Sequence, residues 1–180
     1  MSILVGTPLA DRIISRGEDD SIFALGGNDI VNSGGGDDAI FGGSGRDTLF
    51  GSSGRDLIKG EAGRDTIVGG AGNDELFGGG GQDIIIGGSG EDLLAGGRGR
   101  DTLIGGGGND LFVFDFARDG NAIDEVVDFT AGQDTILILG AGADAEVEYD
   151  SSTGVLSVNG HDFIQLDVGL DIGEDDYLIS

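Results

Sequence analysis

From Asp11 onward, every ninth residue of this chain is an aspartate: Asp11, Asp20, Asp29, Asp38, Asp47, Asp56, Asp65, Asp74, Asp83, Asp92, Asp101 and Asp110. Two residues after each stands an apolar side chain, in order Ile13, Ile22, Val31, Ile40, Leu49, Ile58, Ile67, Leu76, Ile85, Leu94, Leu103 and Phe112. Two residues before each, glycine holds every position from Gly27 to Gly108. The unit therefore reads Gly-Gly-x-Gly-x-Asp-x-apolar-x. A nine-residue unit with one apolar side chain cannot bury that side chain alone. Such units are stable only when they stack, which makes the chain a solenoid.

The two halves of the unit ask for different backbones. Glycine reaches positive φ without steric cost, so the glycine half can turn sharply. The Asp-x-apolar-x half alternates with period two, the pattern of a short strand with one inward side chain. Two units, 18 residues, then close one coil with two turns and two strands. The apolar residue goes inside, and the last residue of each unit goes outside. The outer rows read Phe23, Phe41, Lys59, Phe77, Ala95, Val113 and Ile14, Asn32, Phe50, Val68, Ile86, Ile104. Such rows serve either as side-chain ladders along a sheet or as an apolar surface for self-association.

Stacking brings the aspartates into two columns, and like charges one strand apart repel. The composition sharpens the problem. Acids outnumber Lys and Arg 34 to 9, and the net charge is −25. That balance excludes a nucleic-acid footprint and favours a cationic partner. A hard divalent cation, which takes six to eight carboxylate and carbonyl oxygens, reverses the sign of the repulsion. There is no cysteine, so disulfides and thiolate sites are excluded. No apolar run has the length of a spanning helix, and residues 1–10 carry no visible signal peptide.

The clearest copies are Gly42-Gly43-Ser44-Gly45-Arg46-Asp47-Thr48-Leu49, Gly69-Gly70-Ala71-Gly72-Asn73-Asp74-Glu75-Leu76 and Gly105-Gly106-Gly107-Gly108-Asn109-Asp110-Leu111-Phe112. They resemble the calcium-binding nonapeptide of RTX proteins. The resemblance implies an all-β, right-handed parallel β-roll with calcium ions between turns 18 residues apart. The implied carboxylate ligands are Asp29, Asp47, Asp65, Asp83 and Asp101 on one edge, and Asp38, Asp56, Asp74, Asp92 and Asp110 on the other. The implied carbonyl ligands come from the loops. They are Gly34 and Gly36; Gly42, Gly43, Ser44 and Gly45; Gly51, Ser53 and Gly54; Gly60, Ala62 and Gly63; Gly69, Gly70, Ala71 and Gly72; Gly78, Gly79, Gly80 and Gly81; Gly87, Gly88, Ser89 and Gly90; Gly96, Gly97, Arg98 and Gly99; and Gly105, Gly106, Gly107 and Gly108. Asp47 and Asp65, for example, are expected to share an ion with carbonyls from Gly42, Ser44, Gly70 or nearby positions. About six to eight ions per chain are expected, with fewer where the loops depart from the pattern. The departures are Thr7 and Leu9, Arg16 and Glu18, then Leu25, Ser52 and Glu61.

The apolar register ends at Phe112. Asp119 and Asp128 keep the nine-residue step, but Asn121 and Thr130 stand at the inward positions. The division is set at 1–113 for the roll and 114–180 for a small C-terminal β-cap. Asp124-Glu125-Val126-Val127-Asp128-Phe129-Thr130-Ala131-Gly132-Gln133-Asp134-Thr135-Ile136 is similar to the segment that closes the roll in serralysin-type domains. In that pattern Asp124, Asp128 or Asp134 binds a terminal calcium, or else they are loop carboxylates. Strand signals follow over 146–149, 155–158 and 162–166, with Asn159-Gly160 as a tight hairpin turn. The end, Glu174-Asp175-Asp176-Tyr177-Leu178-Ile179-Ser180, resembles the uncleaved C-terminal signal of type I secretion substrates.

Catalysis finds little support. His161 is the one histidine, and nucleophile-elbow, Walker and HExxH motifs are absent. The expectation is a non-enzymatic, secreted, extracellular calcium-binding protein that folds when it meets calcium. Two alternatives stay open. One is the secretion and folding module of a larger secreted enzyme of protease, lipase or epimerase type. The other is an adhesin or extracellular-matrix component. Met1 and the degenerate first unit point to a free-standing chain.

Overall fold

A computed structural model describes residues 1–118, 122–142 and 144–180. Asp119 and Asn121 lie outside the described residues. The strands form two sheets that face each other. The first sheet runs β1 (Ile3–Val5), β3 (Ser21–Phe23), β5 (Ala39–Gly45), β7 (Leu57–Gly63), β9 (Glu75–Gly81), β11 (Leu93–Arg98), β13 (Leu111–Asp115), β15 (Thr135–Leu139) and β19 (Tyr177–Ile179). The second contains β2 (Arg12–Ile14), β4 (Ile30–Asn32), β6 (Thr48–Ser53), β8 (Thr66–Ala71), β10 (Ile84–Ser89), β12 (Thr102–Gly107) and β14 (Asp124–Val126), then β18 (His161–Gln165), β17 (Val155–Val158) and β16 (Val147–Asp150). Within the repeats odd strands thus fall in one sheet and even strands in the other, so two nonapeptides make one coil. Pairing within the repeats is parallel with an 18-residue register, as in Ile40↔Ile58 and Leu49↔Ile67. The fold is the parallel β-roll that the repeat predicts.

The inward column forms the core. From Ile22 to Phe112, each of its apolar residues is fully buried, and Ile13 at the first coil is partly buried. The layer is one side chain thick per strand. In the first outer row neighbouring side chains form a ladder. Phe23 and Phe41 stack with centroids 5.0 Å apart, and Lys59 Nζ lies 5.3 Å from the Phe77 ring centroid.

The cap joins the same two sheets. β14 pairs with β12 and β15 with β13, both parallel. Hairpins β16–β17 and β17–β18 are antiparallel, and Asn159 and Gly160 turn the second one with φ of 53° and 74°. Those angles match the tight turn expected of Asn-Gly. Phe114, Phe129 and Phe163 are buried beside Phe112 and close the core at this end. At the other end β1 and β2 are edge strands, and Ile3, Val5, Leu9 and Ile14 are exposed.

The turns carry most of the backbone strain. From Leu25 to Gly106 the second loop position has positive φ, whether or not it is glycine: Gly43 at 100°, but also Leu25 at 77°, Ser52 at 81° and Glu61 at 73°. Left-handed backbone costs a residue with a side chain about 1–2 kcal/mol. The fourth position is stricter. A Cβ on Gly45, where φ is 129°, would overlap the Gly27 carbonyl oxygen of the neighbouring coil. Glu61→Gly is therefore expected to stabilise the folded chain by about 1 kcal/mol, and Gly45→Ala to abolish cooperative folding. Thermal melts of the two variants beside the parent protein check both outcomes.

Candidate metal centre: the stacked aspartate turns

Each repeat aspartate sits where a glycine loop re-enters a strand, and its side chain points into the roll. From Asp29 to Asp110 these residues are at most 3 % exposed. One oxygen, Oδ1, accepts the backbone N–H of the aspartate one coil earlier. Along one edge Asp29 donates to Asp47, Asp47 to Asp65, Asp65 to Asp83 and Asp83 to Asp101, each at 2.8 Å. Along the other, Asp38, Asp56, Asp74 and Asp92 donate to Asp56, Asp74, Asp92 and Asp110 at 2.8–2.9 Å.

The second oxygen has no such partner. Oδ2 of Asp29, Asp38, Asp47, Asp56, Asp65, Asp74, Asp83, Asp92 and Asp101 is buried with no hydrogen bond. Leaving a charged oxygen buried and unpaired is strongly unfavourable. For Asp47, Asp56, Asp65, Asp74, Asp83 and Asp92 this atom shares a small space with a carbonyl of the next coil. A methyl group built on Gly60 would lie 2.5 Å from Asp65 Oδ2 and 2.7 Å from the Gly78 carbonyl oxygen. On Gly42 it would lie 2.8 Å from Asp47 Oδ2 and 2.9 Å from the Gly60 oxygen. Glycine at the first loop position keeps this cradle open.

Carbonyl direction decides which loop residues serve which space. First and third positions face back along the roll: the Gly60 oxygen approaches Gly42, and the Ser44 oxygen accepts from Gly27 N–H at 2.9 Å. Second and fourth positions face forward: the Leu25 oxygen accepts from Ser44 N–H at 3.0 Å, and the Gly45 oxygen abuts Gly63. The space between Asp47 and Asp65 is therefore lined by carbonyls of Gly43, Gly45, Gly60 and Ala62, with Asp47 Oδ2 and Asp65 Oδ1. Of the carbonyls expected for this pair, the topology removes Gly70, and those facing this space stand at neighbouring positions. Gly42 and Ser44 face the preceding turn, and Gly70 lies in β8, whose loop is on the opposite edge because consecutive units alternate edges. Six oxygens from two turns fit a calcium ion, which takes six to eight hard oxygen donors. Among the described residues no three acidic, histidine or cysteine side chains converge, so backbone carbonyls must complete any such site.

Both columns run on into the cap, out of step with the repeat. Asp101 N–H donates to Asp124 Oδ1 at 2.8 Å, 23 residues on, and Asp110 N–H to Asp134 Oδ1 at 3.0 Å, 24 residues on. Asp128, which does keep the nine-residue step, instead binds the Gly105 and Gly106 N–H groups at 2.9 and 2.8 Å. The signal for Asp124 and Asp134 is in the sequence. Asp-Glu-Val and Asp-Thr-Ile repeat the Asp-x-apolar triad of every unit, without its spacing. His161 is exposed at the start of β18, 6.5 Å from the Phe116 ring centroid.

Electrostatics agree with the geometry. Burial, helped by neighbouring aspartates of the column, pushes the Asp56 and Asp83 carboxyls up to about 7 against the N–H bond each accepts. Burial likewise raises Asp65, Asp92 and Asp110 to about 6. It also raises Asp47, Asp74 and Asp101. These carboxylates resist ionisation where they stand unless a cation joins them.

The family profile of the RTX calcium-binding nonapeptide repeat matches at residues 5–40, 41–76, 60–94, 77–112 and 86–121. These matches span well over half of the sequence, and the chain belongs to the RTX calcium-binding repeat family. A search of curated protein sequences returns no match. Among solved structures, the crystal structure of the extracellular lipase LipA from Serratia marcescens aligns with 99 % of this chain at 19 % identity and a TM-score of 0.47. The chain spans 40 % of that lipase's length.

The raised carboxyls define a pH dependence. The folded, calcium-free chain holds more protons than the unfolded chain between about pH 4 and 7. Its stability therefore falls as pH rises through that window. Residual β-structure in calcium-free buffer is expected to be greatest near pH 4–5 and to decline towards pH 7.5. Calcium competes with those protons, so its effect is expected to grow over the same range. Far-UV circular dichroism across pH, with and without calcium, reads both trends; a calcium-free signal that rises towards pH 7.5 contradicts them.

Proposed function

We propose that this chain is a secreted, non-catalytic calcium-binding protein whose roll folds when it meets calcium outside the cell. The observation that carries the reading is the set of nine buried, unpartnered Oδ2 atoms, those of Asp47, Asp56, Asp65, Asp74, Asp83 and Asp92 each in a cradle shared with a carbonyl. Calcium supplies positive charge there and ties consecutive turns together. Each ion would draw on two turns one coil apart, so it would link segments 18 residues apart in sequence. The core is one side chain thick, and glycine makes the unfolded chain entropically rich. Small cores of this kind gain much of their stability from metal staples. Extracellular calcium sites commonly bind at about 10⁻⁴ to 10⁻³ M, which leaves them empty in a cytosol and filled outside.

The chain terminus fits the same reading. β19 pairs with β15 through Ile136↔Tyr177 and Ile138↔Ile179. A C-terminal export signal built from these residues would be accessible only in the unfolded chain, before calcium closes the sheet. No helix among the described residues is long and apolar enough to cross a membrane. A second reading, the secretion and folding module of a larger secreted enzyme, draws on the open first coil. β1 and β2 are edge strands with exposed Ile3, Val5 and Leu9, on which a further folded segment could stack.

Calcium titration followed by circular dichroism and isothermal calorimetry tests the reading. A cooperative gain of β-structure with several ions per chain is expected. Magnesium is expected to be far weaker, because it demands a small octahedral site and gives up water reluctantly. A chain that is fully folded in chelator at pH 7.5, or one that binds a single ion, overturns the proposal.

A further inference from the structure

The first aspartate of each column differs from the rest. Asp20 is 3 % exposed, as buried as the later ones, yet its Oδ2 accepts a hydrogen bond from Ser15 Oγ. Its Oδ1 accepts from Ser2 N–H at 2.5 Å. Asp11 Oδ2 accepts from Thr7 N–H at 2.5 Å and from Thr7 Oγ1 at 2.8 Å. From Asp29 to Asp101 the same atom is buried without a partner. Ser15 stands at the first loop position, where the units from Gly42 onward carry glycine. Thr7 stands at the second.

A serine at that position is not enough by itself. Ser33 occupies it five residues before Asp38, but its Oγ donates to the Gly51 carbonyl oxygen at 2.9 Å and leaves Asp38 Oδ2 unpartnered. The backbone around Asp20 differs as well. Glu18 replaces the fourth loop glycine, whose equivalents all have positive φ from Gly27 to Gly108.

We infer that Thr7 and Ser15 close the first coil with hydroxyl groups where the later coils use calcium, so that Asp11 and Asp20 hold no ion and loading begins at Asp29 and Asp38. This rests on the reading that the roll binds calcium. The physical reason lies in the hydroxyls: a protein hydroxyl satisfies a carboxylate oxygen by itself, without needing the oxygens of two turns. The N-terminal end is then set by hydrogen bonds alone, and its closure does not depend on the calcium concentration.

The test counts bound calcium per full-length chain by plasma emission spectrometry after gel filtration in saturating calcium. The Asp11→Asn, Asp20→Asn double variant is expected to bind as many ions as the parent, and Asp65→Asn at least one fewer. Loss of an ion from the double variant overturns the inference. Should that variant fail to fold, Ser15→Ala decides. Removing the hydroxyl is expected to lower the melting temperature in saturating calcium by about 2–4 °C, whereas an unchanged melt means an ion, not the hydroxyl, holds Asp20. A parent chain that binds no calcium overturns the calcium reading itself and is told apart by that result.

Discussion

From Asp29 to Asp101, each coil of this protein is joined to the next by buried carboxylates that are only half satisfied. Oδ1 takes the N–H of the aspartate one coil back, and Oδ2 faces the coil ahead with nothing to accept from. The first contact sets the register of the stack. The second leaves a negative charge in a place that only a cation can make favourable. The glycines follow from the same constraint. Loop carbonyls must alternate forward and back to line each space, which needs positive φ at two positions, and the coils approach so closely that no Cβ fits at Gly45 or Gly63.

The two ends of the stack meet this constraint in different ways. At the C-terminal end the columns continue through Asp124 and Asp134, and a cluster of phenylalanines covers the last layer of the core. At the N-terminal end there is no aromatic plug, and Leu4 and Ile13 are only partly buried. The outer rows contribute through ring stacking and a cation–π contact, which makes them part of the sheet's own stabilisation.

Where the repeat is regular, the sequence was legible almost residue by residue. The inward column from Ile22 to Phe112, the turns and the two rows of aspartates lie where the nine-residue period puts them. The hairpin at Asn159-Gly160 was legible because positive φ at two successive residues is a local demand that those residues meet. Carbonyl direction was not legible. Gly42 and Gly43 are adjacent and chemically identical, yet they serve different spaces because successive peptide groups in an extended loop point opposite ways. The cap carboxylates were legible as candidates only. Asp124 and Asp134 enter the columns after 23 and 24 residues, and no period announces a step of that size.

The sequence alone determined that this chain stacks, how many residues make a coil, which side chains lie inside and that two lines of carboxylates must be neutralised. Those properties follow from a short period and from side-chain polarity, both of which act locally. The tertiary structure alone decided which oxygens face the same space, which carboxylates are already partnered and where each column ends. These depend on contacts between residues 18 or more positions apart, and on the orientation of backbone groups that every residue type shares.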